Sequence, residues 1–246
     1  MSRRVRTLLG LGVAALWLAS PAESGEPRPA TPGTGRVVLV PVNLAVRAVA
    51  EVEPGVDPVW RALVAYLASP EQPAIALAQP DAGALWNEVM ADEKKAGGGG
   101  DLYAAYRRFA KRVAEQAEYG SIVFPTLVTH SARLSGGRTA DWDGVHRPIE
   151  IPGRFNDSIN TFREGPIWLN RRGAQGELAA ASLHVAVFSP TGELLHQGTG
   201  GLVLLQELAL PEKSKSDEIE FTTVMRKNPF EAPDQLREGI AVALGR

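Results

Sequence analysis

Cysteine is missing from all 246 residues, and with it go disulfide staples, thiol nucleophiles, thiolate metal ligands and the acylated cysteine of a lipoprotein. No apolar run reaches the roughly 20 residues a membrane-crossing helix needs. Neither sign of charge dominates, with 26 basic against 28 acidic residues, so a non-specific role on nucleic acid or an anionic membrane has no electrostatic support. Gly-x-Ser-x-Gly does not occur, nor does His-Glu-x-x-His. Gly97 to Gly100 is followed by Asp101, whose carboxylate would repel phosphate, and no Lys-Ser or Lys-Thr follows directly. Serine-hydrolase elbows, helical zinc motifs and phosphate loops are therefore not indicated.

What is there begins with a leader. Arg3, Arg4 and Arg6 precede the apolar run Leu8 to Ala19, and small residues then offer cleavage after Ala22 or Ser24. That layout is a secretory signal peptide over residues 1–24, so the mature chain is expected to be exported, periplasmic or secreted, with no stable membrane span after cleavage. Gly25 to Gly35 holds three prolines and almost nothing to bury, which reads as a tether. The remaining residues, 36–246, suffice for one domain with a sizeable core.

Val37 to Val42 is apolar and β-branched, the pattern of a strand covered on both faces. Asp57-Pro58 opens a helix to about Ala68, with Val59, Trp60, Leu63, Val64 and Leu67 on its apolar face. Ala74 to Ala78 is a second strand, Asp81 a cap for a helix to Lys95, and the four glycines a flexible joint. Asp101 caps a third helix whose far side carries Arg107, Arg108, Lys111 and Arg112, read as a solvated face. Ser121 to Leu134 reads as a strand, with Pro125 marking an edge or a bulge. Leu178 to Phe188 and Glu193 to Leu205 flank the turn Ser189-Pro-Thr-Gly192, and Pro233 or Asp234 to Leu244 forms a last helix. The expected class is α/β, a single domain with helices packed on a mixed β-sheet in the order β-α-β-α-β-β-β-α. Ser135 to Glu177 shows no convincing periodicity and reads as a long loop, and a functional surface is expected there or at Leu208 to Asn228.

Two site readings fall in that stretch. Thr139-Ala-Asp141-Trp-Asp143-Gly144, with Glu150 later, overlays part of a calcium loop, making Asp141, Asp143 and Glu150 metal-ligand candidates; the alternative is a polar turn with Trp142 folded onto the domain. Trp142, Arg147, Arg154 and Trp168 are the residue types that protein interfaces concentrate, making them partner-binding candidates. Of the four histidines, His184 and His196 lie on the two arms of the hairpin. A three-residue loop pairing Ser189 with Glu193 would put them on one face, whereas a two-residue loop would not.

The opening Val-Val-Leu-Val-Pro-Val strand, the capped helix, the Ser121-Ile-Val-Phe-Pro125 strand after a helix and the Pro-Thr-Gly turn follow one another in an order that resembles a group of envelope proteins. These are the periplasmic domain of curli-secretion lipoproteins, the amino-terminal domain of TolB and related exported bacterial proteins. The resemblance spans Arg36 to Arg246 and implies a non-catalytic binding or assembly module with an envelope protein as partner. The missing cysteine departs from it, and Ser135 to Glu177 holds no alternating strands able to line a pore. The expectation is thus a non-catalytic exported binding module with no nucleic acid and no cofactor, oligomeric state open. The alternative is a metal-assisted hydrolase, with calcium the ion its carboxylates would hold and His146 beside them.

Overall fold

The computed structural model describes residues 35–68, 74–97, 100–135, 138–150, 168–170, 173–209 and 222–246. The signal peptide and nearly all of the tether fall outside the described residues, as do Gly98, Gly99, Arg154 and the side chain of Trp168. The fold is α/β, as expected.

Strand β1 (Val37–Leu39) pairs in parallel with both β2 (Ile75–Ala76) and β3 (Ser121–Ser135). Helix α1 (Val56–Leu67) links β1 to β2, while α2 (Gln79–Lys95) and α3 (Leu102–Ala114) link β2 back to β3 on the far side of β1. The two crossovers run in opposite directions along the sheet. Right-handed connections therefore place α1 on one face and α2 with α3 on the other.

Val59 and Leu63 of α1 pack with Leu39, Val123, Leu183 and Val185 in one core. On the opposite face Trp86, Tyr106 and Phe109 close over Ile122, Phe124 and Phe188. Tyr106 and Phe124 stack with centroids 4.2 Å apart. Arg108 pairs with Glu93 at 2.5 Å and Arg112 with Asp92 at 3.2 Å, so part of the basic face of α3 is bound to α2.

Helix starts differ from expectation in an instructive way. Asp101 caps α3, its side chain accepting from Tyr103 N–H at 2.9 Å. Asp57 and Asp81, however, lie inside the first turns of α1 and α2 without capping them. There they complement the positive end of the helix. A 3-10 turn at Glu53–Gly55 leads into α1, and Pro80 opens α2.

Where it is described, the stretch read as a long loop is mostly sheet. β4 (Thr139–Trp142) and β5 (Val145–Pro148) form a hairpin, β6 (Trp168–Asn170) follows, and β7 (Gly173–Phe188) runs antiparallel to β3 over fourteen paired positions. β8 (Leu194–Leu204) completes the eight-stranded sheet, and β9 (Gln206–Ala209) with β10 (Thr222–Met225) makes a separate ribbon. Helix α4 (Pro233–Ala243) lies on β8 and joins α1 in the first core. Its approach depends on glycines. A Cβ on Gly200 would stand 2.0 Å from Gly239 O, and one on Gly198 would stand 2.3 Å from Ala243 O.

The Ser189–Glu193 loop has three residues, with Gly192 at φ 81°. That geometry predicted His184 and His196 on one face, and the structure corrects it. A bulge after Phe188 makes Phe188 pair with Leu194 but Val187 with His196, so the extra residue flips the side chains beyond it as far as the second shift between Ser182 and Ala181. His184 consequently faces α3 while His196 meets Ala243 O at 2.8 Å on the other face.

Candidate functional site

Asp143 and Gly144, at φ 41° and 77°, are the two central residues of the β4–β5 turn, since Trp142 pairs with Val145. Two left-handed residues make the tight hairpin whose twist matches the strands, and Asp-Gly is a favoured pair for it. The calcium-loop reading is corrected accordingly. Asp141 sits directly across the hairpin from His146 and bonds its Nδ1, while Asp143 turns inward and Glu150 lies exposed beyond the end of β5. Among the described residues no three His, Asp or Glu side chains gather as a ligand set.

The partner-binding reading is corrected on two residues. Trp142 is only 6% exposed and packs with Leu134, Val145, Leu178 and Leu204, its indole N–H reaching Ala181 O at 3.3 Å. Arg147 is also 6% exposed. Its guanidinium pairs with Glu238 and donates to Gln235 O at 3.3 Å, tying β5 to α4. Period two decides this: Ala140, Trp142, Val145, Arg147 and Ile149 are the inward positions of the hairpin. Trp168 lies in β6, beside β7. Arg154 lies outside the described residues.

What the hairpin turn does bring together is a polar seam that sequence reasoning missed. Asp143 Oδ2 accepts from the Ser182 hydroxyl at 2.5 Å and meets His130 Nδ1 at the same distance. Ser182 is fully buried and His130 is 43% exposed. Next along the same face of β7, His184 lies between Thr199 Oγ1, at 3.1 Å from Nδ1, and Tyr103 OH, at 3.4 Å from Nε2. Burial, followed by the nearby His130, holds the His184 imidazole below its usual value, and burial pushes the Tyr103 phenol up. The carboxylate stands between hydroxyl and imidazole, so His130 does not reach the proton on Ser182 that a nucleophile–base pair would share. This arrangement is a clasp fastening the turn to β3 and β7. The turn's backbone adds a further bond, Gly201 N–H donating to Asp143 O at 3.1 Å.

Beside the clasp, β3 has an unfinished edge. Val40 N–H donates to Val123 O and Asn43 N–H to Pro125 O, both at 3.0 Å. The parallel register calls for an N–H at position 125 to answer Val40 C=O, and proline has none, so the β1–β3 ladder stops there. The Asn43 side chain then takes over: Leu127 N–H donates to its Oδ1 at 2.9 Å and its Nδ2 donates to Leu127 O at 3.2 Å.

Backbone groups alternate sides along a strand, so those of Thr129 and Ser131 point the same way as those of Leu127. The β7 side agrees. Leu205 N–H donates to Ala179 O, which turns the odd residues of β7 toward β8 and away from β3. Pairing with β4 resumes only at Arg133 with Asp141. Thr129 and Ser131 are both exposed, and among the described residues nothing pairs with their main chain.

The same Asn43 amide also bonds Val46 O at 3.0 Å, so the loop carrying the exposed Val46 and Val49 starts at the end of this edge. No family model matches the chain, and no curated protein or solved structure matches it either. No helix among the described residues is long and apolar enough to cross a membrane.

Proposed function

We propose that the protein is an exported, non-catalytic binding module of the cell envelope, acting through contact with a protein partner. The arginine-led leader supplies the compartment, and the resemblance to curli-secretion lipoproteins and the TolB amino-terminal domain supplies the class. The observation that carries the reading is the β3 edge at Thr129 and Ser131, whose main chain nothing among the described residues pairs, with the exposed Val46 at its end. Backbone donors and acceptors that no described residue meets, next to apolar side chains, suit contact. The seam beside them is committed to holding a turn in place.

This moves the contact surface. Trp142 and Arg147 serve the core, so the surface assigned to them passes to the β3 edge and the loop after Asn43. A photo-reactive residue placed at Val46 in the full chain is expected to give discrete adducts when activated in intact cells. The same residue at the exposed Met90, on α2, is the control. Adducts equal at both positions, or at neither, would count against a binding module of this kind.

A further inference from the structure

The geometry points to strand addition as the way this edge is used: an extended segment of another polypeptide lies alongside Thr129 and Ser131 and continues the sheet between Asn43 and β4. The inference rests on the binding reading above and names the chemistry of the partner. Three observations carry it.

The first is the pattern of groups on offer. Thr129 and Ser131 each present one N–H and one C=O, two residues apart and pointing the same way, which repeats every second residue of a strand. An extended main chain matches both rungs at once, whereas a single side chain or a compact ligand meets at most one. The second is that one rung is already filled by an amide. Asn43 accepts from Leu127 N–H and donates to Leu127 O through its side chain, the two-way exchange of a hydrogen-bonded antiparallel pair. A docked peptide would repeat that exchange at the next two rungs.

The third is the size of the opening. From Leu127 to Arg133 the strand advances about 20 Å, with Asn43 at one end and Asp141 at the other. That is room for a few residues of one strand, and it favours a peptide segment over the broad edge of another sheet. Affinity then comes from main-chain bonds and selectivity from neighbours such as Val46.

A displayed library of random nine-residue peptides, selected on the mature domain, supplies the probe. Selected peptides made synthetically are expected to slow amide exchange at Thr129 and Ser131. Methylating the peptide's backbone nitrogens at alternate positions should abolish binding in one of the two phases and spare it in the other. Thr129→Pro and Ser131→Pro remove only outward-facing donors and are expected to weaken binding about tenfold each, while Ser131→Ala leaves it unchanged. The methylated peptides leave the protein untouched, so the test stands even if a proline variant fails to fold.

No selected peptide, peptides that protect other amides, or binding indifferent to methylation in both phases would overturn strand addition. Val46 adducts that persist at full yield in Thr129→Pro and Ser131→Pro would overturn it as well while leaving the binding module standing. Absence of adducts at Val46 together with peptide binding at the edge would instead remove the envelope reading.

Discussion

Asp143 decides whether the β4–β5 turn is a clasp or a ligand loop, and a double-mutant cycle with Ser182 reads the difference. Asp143→Gly removes the carboxylate while keeping a residue at ease at φ 41°. It leaves the fully buried Ser182 hydroxyl without the acceptor it holds at 2.5 Å. An orphaned buried donor costs about 1–3 kcal/mol, offset by up to about 1 kcal/mol of relief in the turn. Ser182→Ala alone removes a bond to a charged acceptor, about 1.5–3 kcal/mol. With both groups gone no buried group of the pair is left unsatisfied, the half-exposed His130 turning to solvent in either Asp143 variant, so the double variant should fall short of the sum by about 1–2 kcal/mol. Urea melts at pH 7.5 on the mature chain measure all four corners. Additive losses would show that the contact is not energetically real, and stabilisation of the parent by calcium, lost in Asp143→Gly, would restore the ligand-loop reading.

Three further outcomes follow from packing and burial. Gly200→Ala drives a methyl to 2.0 Å from Gly239 O, an atom of the helix backbone that cannot swing away, so a loss of about 3 kcal/mol or more is expected in the same melts. His184 is held below 6.5 in the folded state. The unfolded chain therefore binds more protons as pH falls from 6.5 toward the folded value, stability drops through that window, and His184→Gln should flatten the drop. Burial pushes the Tyr119 phenol from 10.0 up to about 12, with its hydroxyl donating to Ala110 O at 2.6 Å. Its contribution is whole below pH 10 and lost between pH 10 and about 12, and Tyr119→Phe should remove that alkaline loss.

The elements that the sequence announced are those whose signals are local. Val37 to Val42, the Asp101 cap and the Leu236, Ile240 stripe of α4 each depend on residues a turn or less apart. The turn at Ser189 to Gly192 was legible for the same reason, though its length was left open between two and three residues. What lay beyond it was not, because the bulge at Leu195 has no residue signature and it alone decides which face His196 takes.

The β4–β5 hairpin was misread for a different cause. Asp143-Gly144 carries both a turn signal and a calcium-loop signal, and only the inward alternation from Ala140 to Ile149 separates them. Reading that alternation would also have placed Trp142 and Arg147 in the interior. The seam was beyond reach of the sequence, since His130, Asp143 and Ser182 come from three elements and meet only when the turn folds over β7. Pro125 is at neither an outer edge nor a bulge: it is buried between β7 and the end of β1, and its missing N–H is what stops the β1–β3 ladder.

Residue-resolved amide hydrogen exchange on the unliganded mature domain tests the open edge most directly. Val128 and His130 direct their N–H groups into the β7 ladder, so the account predicts slow exchange at both and fast exchange at Thr129 and Ser131, a residue-by-residue alternation. Equal, strong protection at all four amides would mean that the β3 edge is already paired, and the binding surface proposed here would not exist.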